Sequence, residues 1–155
     1  MEKYRDKIEQ HGRTMENMGL TPVAARVYIY LMFHDRPGAV FGEIVDYFKV
    51  SKSAVSNALK MLTSAELVEA ITIGGQRKRY FSVNFKCILN EEAMTKKMGV
   101  MCDLLRDVKD VQEVGAEFTR EIGEAILLYE MLQVEIPIIM ERWRKTIALK
   151  KEKGD

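Results

Sequence analysis

The chain has 155 residues, of which 47% are hydrophobic and 30% charged, with a net charge of +1 at pH 7. At ~100–200 residues per domain this is one compact domain, or a small domain with an interaction arm, and such a composition excludes wholesale disorder. No run approaches the ~20 apolar residues of a membrane helix, and Met1-Glu2-Lys3-Tyr4-Arg5-Asp6 lacks the apolar core of a secretory signal, so a cytoplasmic protein without a membrane partner is expected.

Residues 3–18 are polar with sparse apolar positions (Tyr4, Ile8, Met15, Met18), which predicts a helix with one narrow packing face, stopped by Gly19. Thr21-Pro22 is a helix start: Thr is expected to cap the free amides, and Pro fits the first turn. Ala24, Val27, Tyr28 and Leu31 follow at helical spacing, and Arg36-Pro37-Gly38 ends the segment. Ala39-Val40-Phe41 reads as a stub of strand, Gly42 to Phe48 as a short helix, and Lys49-Val50 as a turn.

Ser51 is expected to cap the next helix, whose apolar stripe is Val55, Ala58, Leu59 and Leu62. Its opposite face holds Lys52, Ser53, Ser56, Asn57 and Lys60, all polar and none acidic. Leu67 to Ile73 is rich in β-branched residues, Gly74-Gly75-Gln76-Arg77 is a turn, and Phe81 to Phe85 alternates strictly. The two runs form a hairpin whose tip carries Arg77, Lys78 and Arg79. Helices are expected from about 91 to 111 and from about 115 to 150. In the last of these Phe118, Ile122, Ala125, Tyr129, Leu132, Ile136, Ile139 and Trp143 are spaced as a heptad seam, with Pro137 expected to kink it.

Charge follows these divisions. Residues 1–19 are balanced, residues 20–86 carry nine basic and five acidic side chains, and residues 87–155 carry eleven basic and fourteen acidic. A basic middle and an acidic tail assign two tasks to two regions.

Helix, short helix, tight turn, capped helix and basic-tipped hairpin form the order of a winged helix-turn-helix. A major groove admits one α-helix, which must present a polar, non-acidic face to base edges and phosphates. Lys52, Ser53, Ser56, Asn57 and Lys60 meet that need. The hairpin tip suits the adjacent minor groove, whose negative potential attracts arginine, with Arg77 the best placed and Lys78 or Arg79 reaching the backbone. The expected fold is mainly α with a small β-wing. It comprises an N-terminal dimerisation helix (1–18), a winged helix-turn-helix domain (19–86) and a helical dimerisation region (87–155).

Residues 19–86 resemble the DNA-binding domain of the MarR superfamily of bacterial and archaeal regulators. The resemblance is carried by MGLTPVAARVYIYL, FGEIVDYFKVSKSAVSNALKMLTSAELVEA and GGQRKRYFSV, and is strongest to the GbsR branch. It implies a homodimer on a pseudo-palindromic operator, acting as a repressor. It places base and phosphate contacts on Ser51, Lys52, Ser53, Ser56, Asn57 and Lys60, and wing contact on Arg77. Many MarR-type wings carry Asp-x-Arg; the matching stretch here is Gly75-Gln76-Arg77, without the Asp that orients the arginine.

Dimerisation is expected along Phe118, Ile122, Tyr129, Leu132, Ile136, Ile139 and Trp143. The GbsR resemblance also raises a small-molecule effector of the quaternary-amine class, which an aromatic cage would hold. Residues such as Tyr4, Tyr28, Tyr30 and Phe33 are available, and at helical spacing they read as core, so none is assigned. Cys87 and Cys102 are too few for a disulfide framework and read as inert thiols. With only His11 and His34, no metal or other cofactor is expected.

An enzyme is not expected, because GxSxG, HExxH and a phosphate-cradling glycine loop are all absent from the sequence. The alternative is a winged-helix adaptor that binds another protein through its heptad C-terminal helix. Salt separates the two readings, since counterion release makes DNA binding steeply salt-dependent.

Overall fold

The structure is a computed structural model that describes residues 1–35, 37–73, 78–111 and 115–152. The chain forms two compact units, Met1–Cys87 and a second that begins at Ile88.

The first unit opens with a 3-10 turn at Glu2–Tyr4 and helix α1 (Arg5–Asn17). Helix α1, expected from the sequence to contribute to the dimer region, packs on α2 (Pro22–Phe33) within this unit, with Ile8 and Gly12 buried. A half-buried ion network fastens the two helices. Arg26 donates to Glu9 at 2.8 Å and also to Glu16. Thr21 does occupy the N-cap of α2, with Pro22 in the first turn, but its hydroxyl makes no capping bond. Pro22 is the first helical residue, whose amide a cap side chain does not serve, and it is the Thr21 carbonyl that opens the helix, accepting from the Ala25 amide at 2.8 Å.

Strand β1 (Ala39–Val40) leads directly into α3 (Phe41–Phe48), and the Glu43 carboxylate accepts from the Val40 amide at 2.9 Å. Lys49 closes α3 in the left-handed conformation, φ 52°, and its amide donates to the Val45 carbonyl at 2.9 Å. That sharp stop turns the chain within three residues into α4 (Lys52–Ser64). Ser51 caps α4 as expected, its Oγ accepting from the Ala54 amide at 3.2 Å.

Strands β2 (Val68–Thr72) and β3 (Arg79–Val83) pair antiparallel, with Val68 opposite Val83 and Thr72 opposite Arg79. Strand β1 pairs with the other edge of β3, giving the order β1-β3-β2. The second strand thus begins two residues earlier than its alternation suggests and ends at Val83. Phe85 falls in a 3-10 turn, Phe85–Leu89. Beyond Val83 the Asn84 amide still reaches the carbonyl of Leu67, opposite it in register, at 2.9 Å and its side chain reaches the Glu66 carbonyl at 3.1 Å, but the Leu67 amide is taken by the Leu62 carbonyl at 3.0 Å and the ladder stops.

One core fills this unit. Ile8, Val27, Leu31, Ile44, Val55, Leu59, Leu62, Val68 and Val83 are all buried in it. Burial also pushes the Tyr30 hydroxyl up to about 12, and the Tyr30 ring lies tilted against Tyr47 of α3, centroids 4.7 Å apart. Gly38 sits against β3 with φ +113°, and a Cβ there would stand 2.8 Å from the Phe81 carbonyl carbon. Gly38→Ala is therefore expected to cost well over about 1 kcal/mol, because it combines left-handed strain with a backbone clash. A shift of the urea midpoint to lower denaturant checks this; an unchanged midpoint would contradict the β1–β3 geometry.

The second unit is a pair of helices, α5 (Glu91–Val111) and α6 (Ala116–Glu152), packed on each other. Asn90 caps α5, its Oδ1 accepting from the Ala93 amide at 3.0 Å. Across the pair, Arg106 donates to Glu130 at 2.6 Å and the Gln133 side chain donates to the Thr95 carbonyl at 3.5 Å. The buried Cys102 thiol points to the Ile126 carbonyl at 3.9 Å. Helix α6 runs through Pro137 as one helical segment. No helix among the described residues is long and apolar enough to cross a membrane.

Candidate nucleic-acid interface

Helix α4 divides cleanly. Val55, Ala58, Leu59 and Leu62 are 0–3% exposed and face the core. Lys52, Ser53, Ser56, Asn57 and Lys60 are all exposed, as is Ser51 at the cap. At 100° per residue Ser53, Asn57, Lys60 and Ser64 share one line, and Ser56 lies beside it. Ser64 is exposed too and extends the polar face by one turn beyond the expected set. Its four-residue offset from Lys60 was the signal for it. The cap bond, the left-handed Lys49 and the buried stripe together hold α4 outward as a rigid element, so its polar side chains stand on a fixed frame.

The face is electropositive. Helix α4 contains no acidic residue, and no ion pair among the described residues involves Lys52, Lys60, Lys78 or Arg79. Unpaired cations keep their charge available to an anion. Lys78 and Arg79 are exposed at the start of β3, and the Arg79 guanidinium lies 5.8 Å over the Phe81 ring. Arg77, with Gly74, Gly75 and Gln76 of the hairpin tip, lies outside the described residues.

The residues of the expected dimer seam separate. Ile122 and Ile136 are buried within the second unit, Tyr129 and Leu132 are half-buried, and Phe118, Ile139 and Trp143 are exposed. The aromatics considered for a cage are largely packed on one another: Tyr4 stacks on Phe33 at 4.9 Å, and Tyr28 and Tyr30 are buried in the core.

Residues 15–86 match the family model of the sugar-specific transcriptional regulator TrmB. The match spans α2, α3, α4 and both strands of the hairpin. No curated protein matches the chain. Among solved structures, a protein described as a transcriptional regulator aligns at TM-score 0.76 and 19% identity, over 92% of this chain and 99% of its own. That likeness establishes the winged-helix fold. Tm0710 from Thermotoga maritima, a transcriptional regulator, aligns at TM-score 0.43 and 16% identity, over 99% of this chain and 88% of its own. A MepR–DNA complex from S. aureus aligns at 0.43 and 18%, over 86% and 93%. The family matched and the well-aligned structure are those of regulators, not of enzymes.

Proposed function

We propose that the chain is a sequence-specific, double-stranded-DNA-binding transcriptional regulator that acts as a homodimer. The observation that carries this reading is the outward face of α4: exposed, free of acid, bearing unpaired lysines, and placed beside a hairpin with Lys78 and Arg79. The match to a family of transcriptional regulators supports it over the adaptor reading. Helix α4 enters a major groove. There Ser53 and Asn57 meet base edges, while Ser51, Lys52, Ser56 and Lys60 hold phosphates. Arg77 is assigned to the minor groove on sequence grounds.

A second copy supplies the other half-site. The apolar residues of α6 are not confined to the side that packs on α5. Leu127, Met131, Val134 and Ile138 recur at heptad spacing and are 38–64% exposed, with Ile139 and Trp143 of the expected seam exposed next to them. A helix that is apolar on opposite sides is stable when both are covered. Pairing of this face with its own copy covers it and sets two α4 helices for half-sites ~10 bp or a multiple apart. Met131→Glu with Val134→Glu is expected to convert the dimer to a folded monomer, read by light scattering after gel filtration. An unchanged mass would remove α6 from the interface.

Repression, placement in the GbsR branch and control by an effector complete the proposal. The matched family is named for sugar specificity, so sugars stand beside quaternary amines as effector classes, and thermal-shift screening separates them. Selection of binding sites from a random duplex library tests the core reading. Enriched inverted repeats are expected; a library that stays random after repeated rounds would overturn it.

A further inference from the structure

We propose that an open cavity between α4 and β3 seats one deoxyribose-phosphate unit of the DNA backbone. The inference rests on the DNA-binding reading above and goes beyond it by joining Lys60 and Arg79, which the sequence assigns separately, with Ser64 on a single phosphate. The cavity has a volume of about 320 Å³. Its polar lining is cationic and hydroxylic: Lys60, Ser56 and Ser64 from α4, and Arg79 from β3, with no carboxylate. Neither cation is in an ion pair among the described residues, and neither serine hydroxyl has a hydrogen-bond partner there. Thr63 differs, because its hydroxyl donates to the Leu59 carbonyl at 2.6 Å and so serves as wall.

The chemistry of this lining matches a sugar phosphate. Two cations and two free hydroxyl donors suit the non-bridging oxygens of a phosphodiester, whose charge makes each such bond stronger than a neutral one. Phe41 and Phe81 also line the cavity. This apolar surface suits the deoxyribose carbons that inorganic phosphate lacks. The Phe81 ring beneath the Arg79 guanidinium holds that cation against the cavity wall, which lowers the entropy lost on binding.

Position points the same way. When α4 lies in the major groove and the hairpin reaches the adjacent minor groove, one DNA strand must cross between them. The cavity is bounded by α4 on one side and β3 on the other, so it lies under that crossing strand.

The test is the salt dependence of affinity for a duplex taken from the selection, measured for the full-length wild type, Lys60→Ala, Arg79→Ala and the double variant. Each neutralised phosphate contributes about −0.9 to the slope of log K against log salt. If both cations hold one phosphate, either single variant leaves it neutralised by the other. The singles then change the slope by well under 0.9 per half-site, and the double changes it by about 0.9 per half-site, or about 1.8 for the dimer. Ser64→Ala is expected to weaken binding several-fold without changing the slope. Ethylation interference should find one phosphate per half-site whose modification blocks the wild type and no longer matters to the double variant.

Slope changes of about 0.9 per half-site for each single and twice that for the double would mean two separate phosphates and would overturn the shared seat. Unchanged slopes throughout would take the cavity off the DNA path. In both cases the wild type still binds DNA, so the regulator reading survives. Absence of wild-type binding would strike that reading itself. Both cations are exposed, and a thermal melt confirms that the variants are folded.

Discussion

Lys60→Glu is expected to weaken binding to a cognate duplex by about a hundredfold per half-site while the unfolding transition stays where it is. Lys60 is exposed on the outward line of α4 and has no ion-pair partner among the described residues. Its removal therefore breaks nothing within the fold. On DNA it donates a charge-assisted hydrogen bond worth about 1.5–3 kcal/mol. A carboxylate in its place adds about 1 kcal/mol of repulsion against a phosphate at contact distance in water. Together these come to about 3 kcal/mol, or two factors of ten in affinity, since each factor is about 1.4 kcal/mol. The introduced carboxylate would also compete for Arg79 and so silence both cations of the seat. The loss should shrink at high salt, where the wild type has less to lose. Fluorescence anisotropy at two salt concentrations reads the effect. An affinity within threefold of the wild type would exclude the outward face of α4 from the interface.

The second large effect is on stability. Leu62 is 0% exposed in the core of the first unit, on the inward stripe of α4. Truncation of such a leucine to alanine costs about 2.7–5 kcal/mol, the transfer energy plus the cavity left behind. For a unit of this size 1 kcal/mol lowers the melting temperature by roughly 4–8 °C. Leu62→Ala should therefore lower the transition of the first unit by about 10–40 °C. Binding to DNA below that transition should persist, since the outward face is untouched. A calorimetric shift under about 5 °C would mean that α4 is not seated as described.

The helix-turn-helix was legible in the sequence because its signals agree at every level. The Ser51 cap, the inward stripe of α4 and its acid-free outward face all fall within a few residues of one another. The wing was legible through its β-branched run and its glycine turn. Its second strand was misplaced because Phe81, Val83 and Phe85 alternate beyond the point where the Leu67 amide, opposite Asn84, is taken by the Leu62 carbonyl and the ladder stops. Local alternation carries no information about that tertiary tie.

The seam of α6 was legible only in part. A strict heptad runs 118, 122, 125, 129, 132, 136, whereas the buried positions Ile122, Ile136 and Met140 follow the period of a straight helix against α5. The two periods drift apart by about 20° per heptad. With apolar residues on more than one side, periodicity cannot assign which side meets α5 and which is left uncovered. The cavity between α4 and β3 was illegible for a different reason: it joins residues about twenty positions apart through the sheet register.

The central claim is that the outward face of α4 reads double-stranded DNA. The most direct measurement is the affinity of the purified protein for duplex DNA from upstream of its own gene, against a scrambled duplex of equal length, at two salt concentrations. The expected result is a complex with the mass of a dimer on one duplex, a preference for the native sequence, and a steep loss of affinity as salt rises. Absence of binding to either duplex at low salt would contradict the account.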